Sequence, residues 1–309
     1  MRLNHLIEAQ QLTPDLLLSL FKKADELRAN LGAHAEDLKG KILATLFYEP
    51  STRTRLSFES AMLKLGGNIL TAENAKEFSS YVKGESIEDT VRVVGFYADC
   101  IVIRHFEEDV TKKAIEVSKV PIINAGEGRG QHPTQALLDA YTIYREKGRI
   151  DSLKIAMVGD LASGRTVRSL CYLLSKFKNI EIIFVSPENL KMKDDIKEYL
   201  TRKNVKFSEA DNLNHILDKV DVIYMTRIQK ERINLEDYEK AKGKFVINKE
   251  NFQLLGVNTI IMHPLPHVEE IDLPVDVEKN DLRIAYFREV ENGLYIRMAL
   301  LKHLLNSDN

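Results

Sequence analysis

Short apolar runs rich in β-branched residues alternate along this chain with longer segments in which apolar residues recur every three or four positions. The first long segment, "TPDLLLSLFKKADELRANLG", predicts a helix with Thr13 as its N-cap and Pro14 in its first position. Leu20, Ala24, Leu27 and Leu31 fall on one face, and Gly32 is placed to close it. "KILATLFY" then reads as a buried strand. "RLSFESAMLKLGG" follows as a helix with Phe58, Met62 and Leu65 on one face. "NILTA", "DCIVIR" and "VPIINAG" are further strand candidates, each followed by polar or helical sequence. Apolar strands alternating with helices predict parallel βαβ units.

The pattern then restarts. "LKIAMVGD", "IEIIFVSP", "VKFSE", "DVIYMTR" and "TIIMHPLP" predict five more strands. "PTQALLDAYTIYREKG" is a helix between the two series, and the polar turn at 147–152 marks the second start. The expected fold class is α/β, two doubly wound domains, each a parallel sheet flanked by helices. A last helix, "GLYIRMALLKHLLN", places Leu294, Met298, Leu301 and Leu305 on one face.

A length of 309 residues suits two domains, and 44% hydrophobic with 29% charged residues is ordinary for a soluble protein. The net charge of −2 gives no global attraction to nucleic acid or an acidic membrane surface, so any anion binding must be local. Two cysteines, Cys100 and Cys171, both inside apolar runs, exclude a disulfide framework and a cysteine-based zinc site. The N-terminus has no sustained apolar stretch, and no run approaches a membrane span. A cytoplasmic protein with no nucleic-acid or membrane partner is expected.

In doubly wound sheets, ligands bind beyond the carboxyl ends of the strands. Unusual residues crowd those ends here: "EPSTRTR" after the first strand, Arg104 after "DCIVI", and "GEGRGQHPTQ" after "PIINA". The second series has "GDLASGRT", "TRIQKER" and "HPLPH" in the same positions. One helix needs one cap, whereas Ser51, Thr52 and Thr54 supply three hydroxyls. Arg53 at a helix start also opposes the macrodipole. A bound anion resolves the conflict, since N–H groups, hydroxyls and guanidinium would all donate to it, and a tetrahedral phosphate fits best. The stretch is not a P-loop. "GDLASGRT" lacks the glycine turn of a dinucleotide site; Arg165 reads there as a helix-start residue or as a ligand. His132 before Pro133 reads as hydrogen-bonded filler or as a site residue. The two prolines of "HPLPH" force an irregular backbone whose carbonyls stay available, and the Leu265–Pro266 peptide is expected to be cis. The polar segment 73–89, with Lys83 followed by Gly84, is long for a strand–helix connection and reads as a lid or as a solvated loop.

Together "FYEPSTRTRLSFE", "KGES", "IVIRH", "NAGEGRGQHPTQALLD", "AMVGDLASGRTVRSL", "YMTRIQKERI" and "HPLP" resemble the aspartate/ornithine carbamoyltransferase family, from about residue 5 to the last helix. "TRIQKER", with "HPLP" where ornithine enzymes carry a cysteine, places the resemblance on the aspartate side. It implies carbamoyl transfer from carbamoyl phosphate to the α-amino group of L-aspartate, a step of pyrimidine biosynthesis. Residues 1–132, completed by helix 288–309, would bind carbamoyl phosphate, and 133–287 would bind aspartate.

The resemblance implies that Ser51, Thr52, Arg53 and Thr54 hold the phosphate. Arg104, His132 and Thr54 would polarise the carbamoyl oxygen, while Gln135 and the carbonyls of Leu265 and Pro266 fix the amide. Arg165, Thr166, Arg227 and Gln229, with Lys83, would bind aspartate; two carboxylates call for two fork-shaped donors. Ser79 and Lys83 would enter a neighbouring subunit's site in a homotrimer with shared active sites. No metal or organic cofactor is implied. Regulatory chains, if bound, would be separate polypeptides, because no effector module is appended. Two departures stand out: His267 follows "HPLP" where relatives commonly carry arginine, and the lid has one lysine beside Tyr81. Arg55 is expected in a structural salt bridge. The competing readings are a carbamoyltransferase for ornithine or another amino acid, a non-catalytic phosphate or dicarboxylate binder, and a dinucleotide oxidoreductase.

Overall fold

The computed structural model describes residues 3–230 and 233–306. Glu231 and Arg232, the last two residues of "TRIQKER", lie outside the described residues. The chain forms two compact units, Met1–Leu138 with Glu291–Asn309, and Asp139–Val290.

The first unit opens with helix α1 (Pro14–Ala29), where Thr13 Oγ1 caps the N–H of Leu16 as expected. Leu20, Ala24 and Leu27 are buried. The helix stops at Ala29, before Leu31, which with Gly32 enters a separate 3-10 turn. Then come β1 (Ile42–Phe47), α2 (Thr52–Lys64), β2 (Asn68–Glu73), α3 (Ala75–Phe78), α4 (Ile87–Val94), β3 (Cys100–His105), α5 (Val110–Val117) and β4 (Ile122–Glu127). The sheet is parallel, in the order β2-β1-β3-β4. Its core joins Ala44, Leu46, Val91, Ile101, Ile103 and Ile122. Segment 73–89 is not an open loop: α3 and a 3-10 turn at Ser80–Lys83 occupy it, and α4 takes its end. Ser79 makes this possible, because its Oγ accepts from the N–H of Tyr81 and donates to the carbonyl of Ala75.

Helix α6 (Pro133–Lys147) carries the chain into the second unit. There β5 (Lys154–Val158), α7 (Arg165–Leu174), β6 (Glu181–Val185), α8 (Asp194–Arg202), β7 (Lys206–Ala210) and β8 (Val222–Met225) are followed by α9 (Leu235–Ala241), β9 (Ile247–Asn248), β10 (Ile260–Met262), β11 (Ile271–Asp272) and α10 (Val275–Asn280). The five expected strands form one parallel sheet in the order β10-β8-β5-β6-β7. β9 and β11, two residues each, make a small separate pair that is too short for a periodicity to announce. Ile183, Val185, Ile223, Met225 and Ile261 centre its core. Helix α11 (Tyr286–Leu305) returns to the first unit, with Met298, Leu301 and Leu305 buried.

Both strand orders reverse once. The first sheet reverses between β1 and β3, the second between β5 and β8. At such a switch point the two flanking connections leave toward opposite faces, and a crevice opens beyond the strand ends.

Candidate active site

In the first unit the switch point receives the expected anion residues. Phe47 pairs with Arg104 across β1 and β3, and the N–H of Tyr48 donates to the Arg104 carbonyl at 2.8 Å. The chain then turns into α2, whose first turn has no acidic residue. Ser51 occupies the N-cap position, yet its hydroxyl makes no capping bond. Ser51 thus does not cap the helix through its side chain, and it precedes the exposed Thr52 and Arg53 at the positive end of the helix. Thr54 is 7% exposed. Arg55 turns away from that group and pairs with Glu59 at 3.2 Å and Glu73 at 2.6 Å, the expected structural salt bridge.

Arg104 is held on two sides. One terminal nitrogen donates to the carbonyl of Ala125 at 3.2 Å, and the other lies 3.4 Å from Glu49. Its charge is thus fixed at the strand ends by an acceptor from β4 and a carboxylate from the β1 connection. His132 is 3% exposed and sits immediately before Pro133 of α6. Its carbonyl accepts from the N–H groups of Gln135 and Ala136, and its Nδ1 lies 3.3 Å from Thr134 Oγ1. Gln135, also buried, is on the first turn.

The segment that delivers His132 is pinned by residues that carried no sequence signal. Glu127 accepts from both the N–H and the hydroxyl of Thr111 at 3.0 Å. Burial pushes its carboxyl above the usual range, against the pull of those two bonds. Gln131 accepts from the N–H of Ala9 at 2.9 Å. Segment 73–89 is pinned differently: Tyr81 packs edge-on against Tyr48, with centroids 5.5 Å apart, and against Phe106 at 6.2 Å. Lys83 ends the 3-10 turn in an exposed position.

In the second unit β5 and β8 bring together the other candidates. Gly159 leaves β5 with φ +111, and a methyl group there would lie 2.1 Å from the Thr226 carbonyl oxygen. Only glycine lets the two connections approach so closely. Thr226 in turn donates to Val158 through both its N–H, at 2.8 Å, and its hydroxyl, at 2.9 Å. Arg165, 7% exposed, and Thr166 begin α7, whose first turn has no acidic residue. Arg227 and Gln229, both half-buried, follow β8. Two arginines thus flank one switch point.

The connection after β10, the strand next to β8, is irregular as expected. The Leu265–Pro266 peptide is cis, and Leu265 has φ +53. The neutral ring of His263 organises it. Nδ1 accepts from the N–H of Leu265 at 2.8 Å, so Nε2 carries the hydrogen, which it donates to Glu270 at 2.8 Å. Burial depresses the His263 pKa. Glu270 also accepts from the N–H of Val268 at 3.1 Å. His267 pairs with Glu278 at 3.4 Å. Glu270 and Glu278 were not legible as partners, because each lies in a polar stretch without periodicity. Among the described residues no cluster of His, Cys, Asp and Glu could hold a metal ion, and no helix is long and apolar enough to cross a membrane.

Two reversed sheets, each with arginines beyond its switch point, define a doubly wound α/β protein of two units. Residues 4–145 match the aspartate/ornithine carbamoyltransferase carbamoyl-P binding domain, and residues 151–304 match the Asp/Orn binding domain of the same family. The chain belongs to the aspartate/ornithine carbamoyltransferase family. It is 54% identical to aspartate carbamoyltransferase 1, chloroplastic, of Pisum sativum over 98% of this chain and 79% of that protein. It is 51% identical to the aspartate carbamoyltransferase catalytic subunit of Methanocaldococcus jannaschii, over 99% of each. The solved catalytic subunit from that archaeon superposes with a TM-score of 0.89, covering 98% of both chains at 51% identity. Aspartate transcarbamoylase from Trypanosoma cruzi in complex with carbamoyl phosphate and aspartate is 36% identical with a TM-score of 0.91, over 99% of this chain and 98% of that one.

Proposed function

We propose that this chain transfers the carbamoyl group of carbamoyl phosphate to the α-amino group of L-aspartate, giving N-carbamoyl-L-aspartate and phosphate for pyrimidine biosynthesis. The observation that carries the choice of acceptor is the pair Arg165 and Arg227 flanking the β5/β8 switch point, with Gln229 beside them. A dicarboxylic amino acid needs two such forks, and ornithine, with a cationic side chain, would be repelled by them.

The first unit takes carbamoyl phosphate. The Ser51 hydroxyl, Thr52, Arg53 and the N–H groups of α2 receive the phosphate, which is a dianion once it has taken the amine proton and is stabilised there. Arg104, His132 and Thr54 donate to the carbamoyl oxygen as the amine adds and negative charge develops on it. Each donor aimed at that oxygen is worth about 10²–10³ in rate. Gln135 and the carbonyls of Leu265 and Pro266 receive the amide, whose N–H groups need acceptors. Arg165, Thr166, Arg227 and Gln229 hold the aspartate carboxylates, and Lys83 supplies a further cation. The nitrogen lone pair attacks the carbonyl carbon, the C–O bond to phosphate breaks, and phosphate accepts the amine proton. Only the neutral amine reacts, so activity rises with pH until that amine is deprotonated. Holding both reactants removes most of the entropic barrier.

A homotrimer, in which Ser79 and Lys83 serve the neighbouring subunit's site, accounts for an exposed lysine on an ordered lid of its own domain. A cytoplasmic setting fits two buried thiols whose pKa values burial pushes up. Carbamoyl phosphate offered with aspartate and with ornithine in separate assays tests the reading. Product from aspartate alone is expected, and product from ornithine alone would overturn it.

A further inference from the structure

Two carboxyl groups that the proposed chemistry leaves unused meet inside the second unit. Asp139 on α6 is 0% exposed, and Glu289 on α11 is 1% exposed. They are hydrogen-bonded to each other. Asp139 Oδ2 also accepts from the Tyr224 hydroxyl of β8 at 2.8 Å. That hydroxyl is bonded in turn to the side chain of Thr166 on α7. Glu289 Oε2 accepts from the backbone N–H of His263 at 3.0 Å. The pair thus ties five segments together, and two of its ties end on candidate site segments: Thr166 and the connection that begins at His263.

Ionised carboxylates only accept hydrogen bonds, so a bond between two of them requires a proton. Both groups are buried, and leaving both charged at contact distance would be severely unfavourable. The titratable side chains that act on Glu289 and Asp139 are each other and Tyr224; the His263 ring points to Glu270 rather than to the pair. Burial and the neighbouring Asp139 charge push Glu289 well above the usual carboxylate range. The Tyr224 hydroxyl, a donor, favours the ionised form of Asp139. The proton therefore belongs on Glu289.

We propose that Asp139 and Glu289 hold one proton between them at neutral pH, and that Glu289, as a neutral acid, is a positioning residue that fixes the 263–267 connection and, through Asp139 and Tyr224, Thr166. Its effect on catalysis rests on the carbamoyl-transfer reading; the shared proton does not. An amide can replace a neutral acid here, donating to Asp139 and accepting from His263. A hydrocarbon cannot.

The experiment compares the full chain with Glu289→Gln and Glu289→Leu. The unfolded chain releases the glutamate proton above its ordinary pKa of about 4.3, while the folded wild type keeps it. Each pH unit above that value then weakens wild-type folding by up to about tenfold in equilibrium constant, and the Gln variant escapes this loss. The melting temperature of Glu289→Gln should gain on wild type steadily from pH 5 to pH 8. A gap that does not change with pH would overturn the shared proton, whatever the substrates prove to be. For the positioning role, Glu289→Gln should keep kcat and both KM values within about twofold, while Glu289→Leu should lose at least tenfold in kcat/KM at a temperature where it remains folded. A folded, fully active Leu variant would overturn that role.

Discussion

The carbonyl oxygen of Thr226 lies 2.1 Å from where a side chain on Gly159 would begin. The contact joins the ends of β5 and β8, the two strands whose connections carry Arg165 and Arg227. Gly159→Ala must either push Thr226 away or leave φ +111, and both displace an arginine-bearing connection. The variant should lose about 2 kcal/mol or more of stability, read by denaturant titration. The KM for aspartate should rise more than the KM for carbamoyl phosphate. An unchanged aspartate KM would show that this close approach does not shape the site.

Arg104, the proposed donor to the carbamoyl oxygen, is held in place by Ala125 and Glu49. Arg104→Ala should lower kcat by about 10²–10³ or more, with little change in melting temperature. Turnover near that of wild type would remove Arg104 from the mechanism.

Arg227→Leu should raise the KM for aspartate by at least tenfold, because a charge-assisted bond of roughly 1.5–3 kcal/mol is lost. Carbamoyl phosphate binding, measured alone by calorimetry, should persist. Equal damage to both ligands would point to a folding defect.

Lys83 is exposed on its own domain, and the proposed shared-site trimer makes a specific demand of it. Lys83→Ala and Arg104→Ala preparations, each nearly inactive, should recover part of wild-type activity when their subunits are mixed and reassembled. A mixture that stays inactive would mean that Lys83 serves its own chain.

Acid should loosen the 263–267 connection. Burial depresses the His263 pKa, so its contribution to stability is full above the unfolded value of about 6.5 and is lost as pH falls through the lower folded value. Glu270 works in the same direction. Burial alone would raise its pKa, but the bonds from His263 and Val268 lower it on balance, so its contribution is lost on acidification. The melting temperature should fall from pH 7 to pH 5, and His263→Gln should flatten that fall. An equally steep fall in the variant would place the acid sensitivity elsewhere.

Nine strands and the helices between them were legible because each is a run of one period long enough to register: Ile42–Phe47 as a buried strand, Phe58 and Met62 as a helix face. The lid was not. Segment 73–89 looks polar throughout, and its turns depend on the Ser79 hydroxyl serving two backbone groups at once. Nor were the bonds of Glu127 to Thr111, in the segment before His132, and of Glu270 to His263, at the start of the cis connection. A buried carboxylate is identical in sequence to a solvated one, and only its partner across the fold distinguishes them.

Local sequence was enough for the alternation of strands and helices, the cationic residues at the strand ends, and the family to which those motifs belong. These are local: a periodicity or a motif is complete within a few residues. Strand order was decided by tertiary structure alone, since it depends on contacts between segments far apart in the chain. That order sets the connection with Ser51 next to the end of the strand with Arg104, and the connection with Arg165 next to the one with Arg227; helix packing brings Glu289 against Asp139, where two buried carboxyl groups can meet only by keeping a proton.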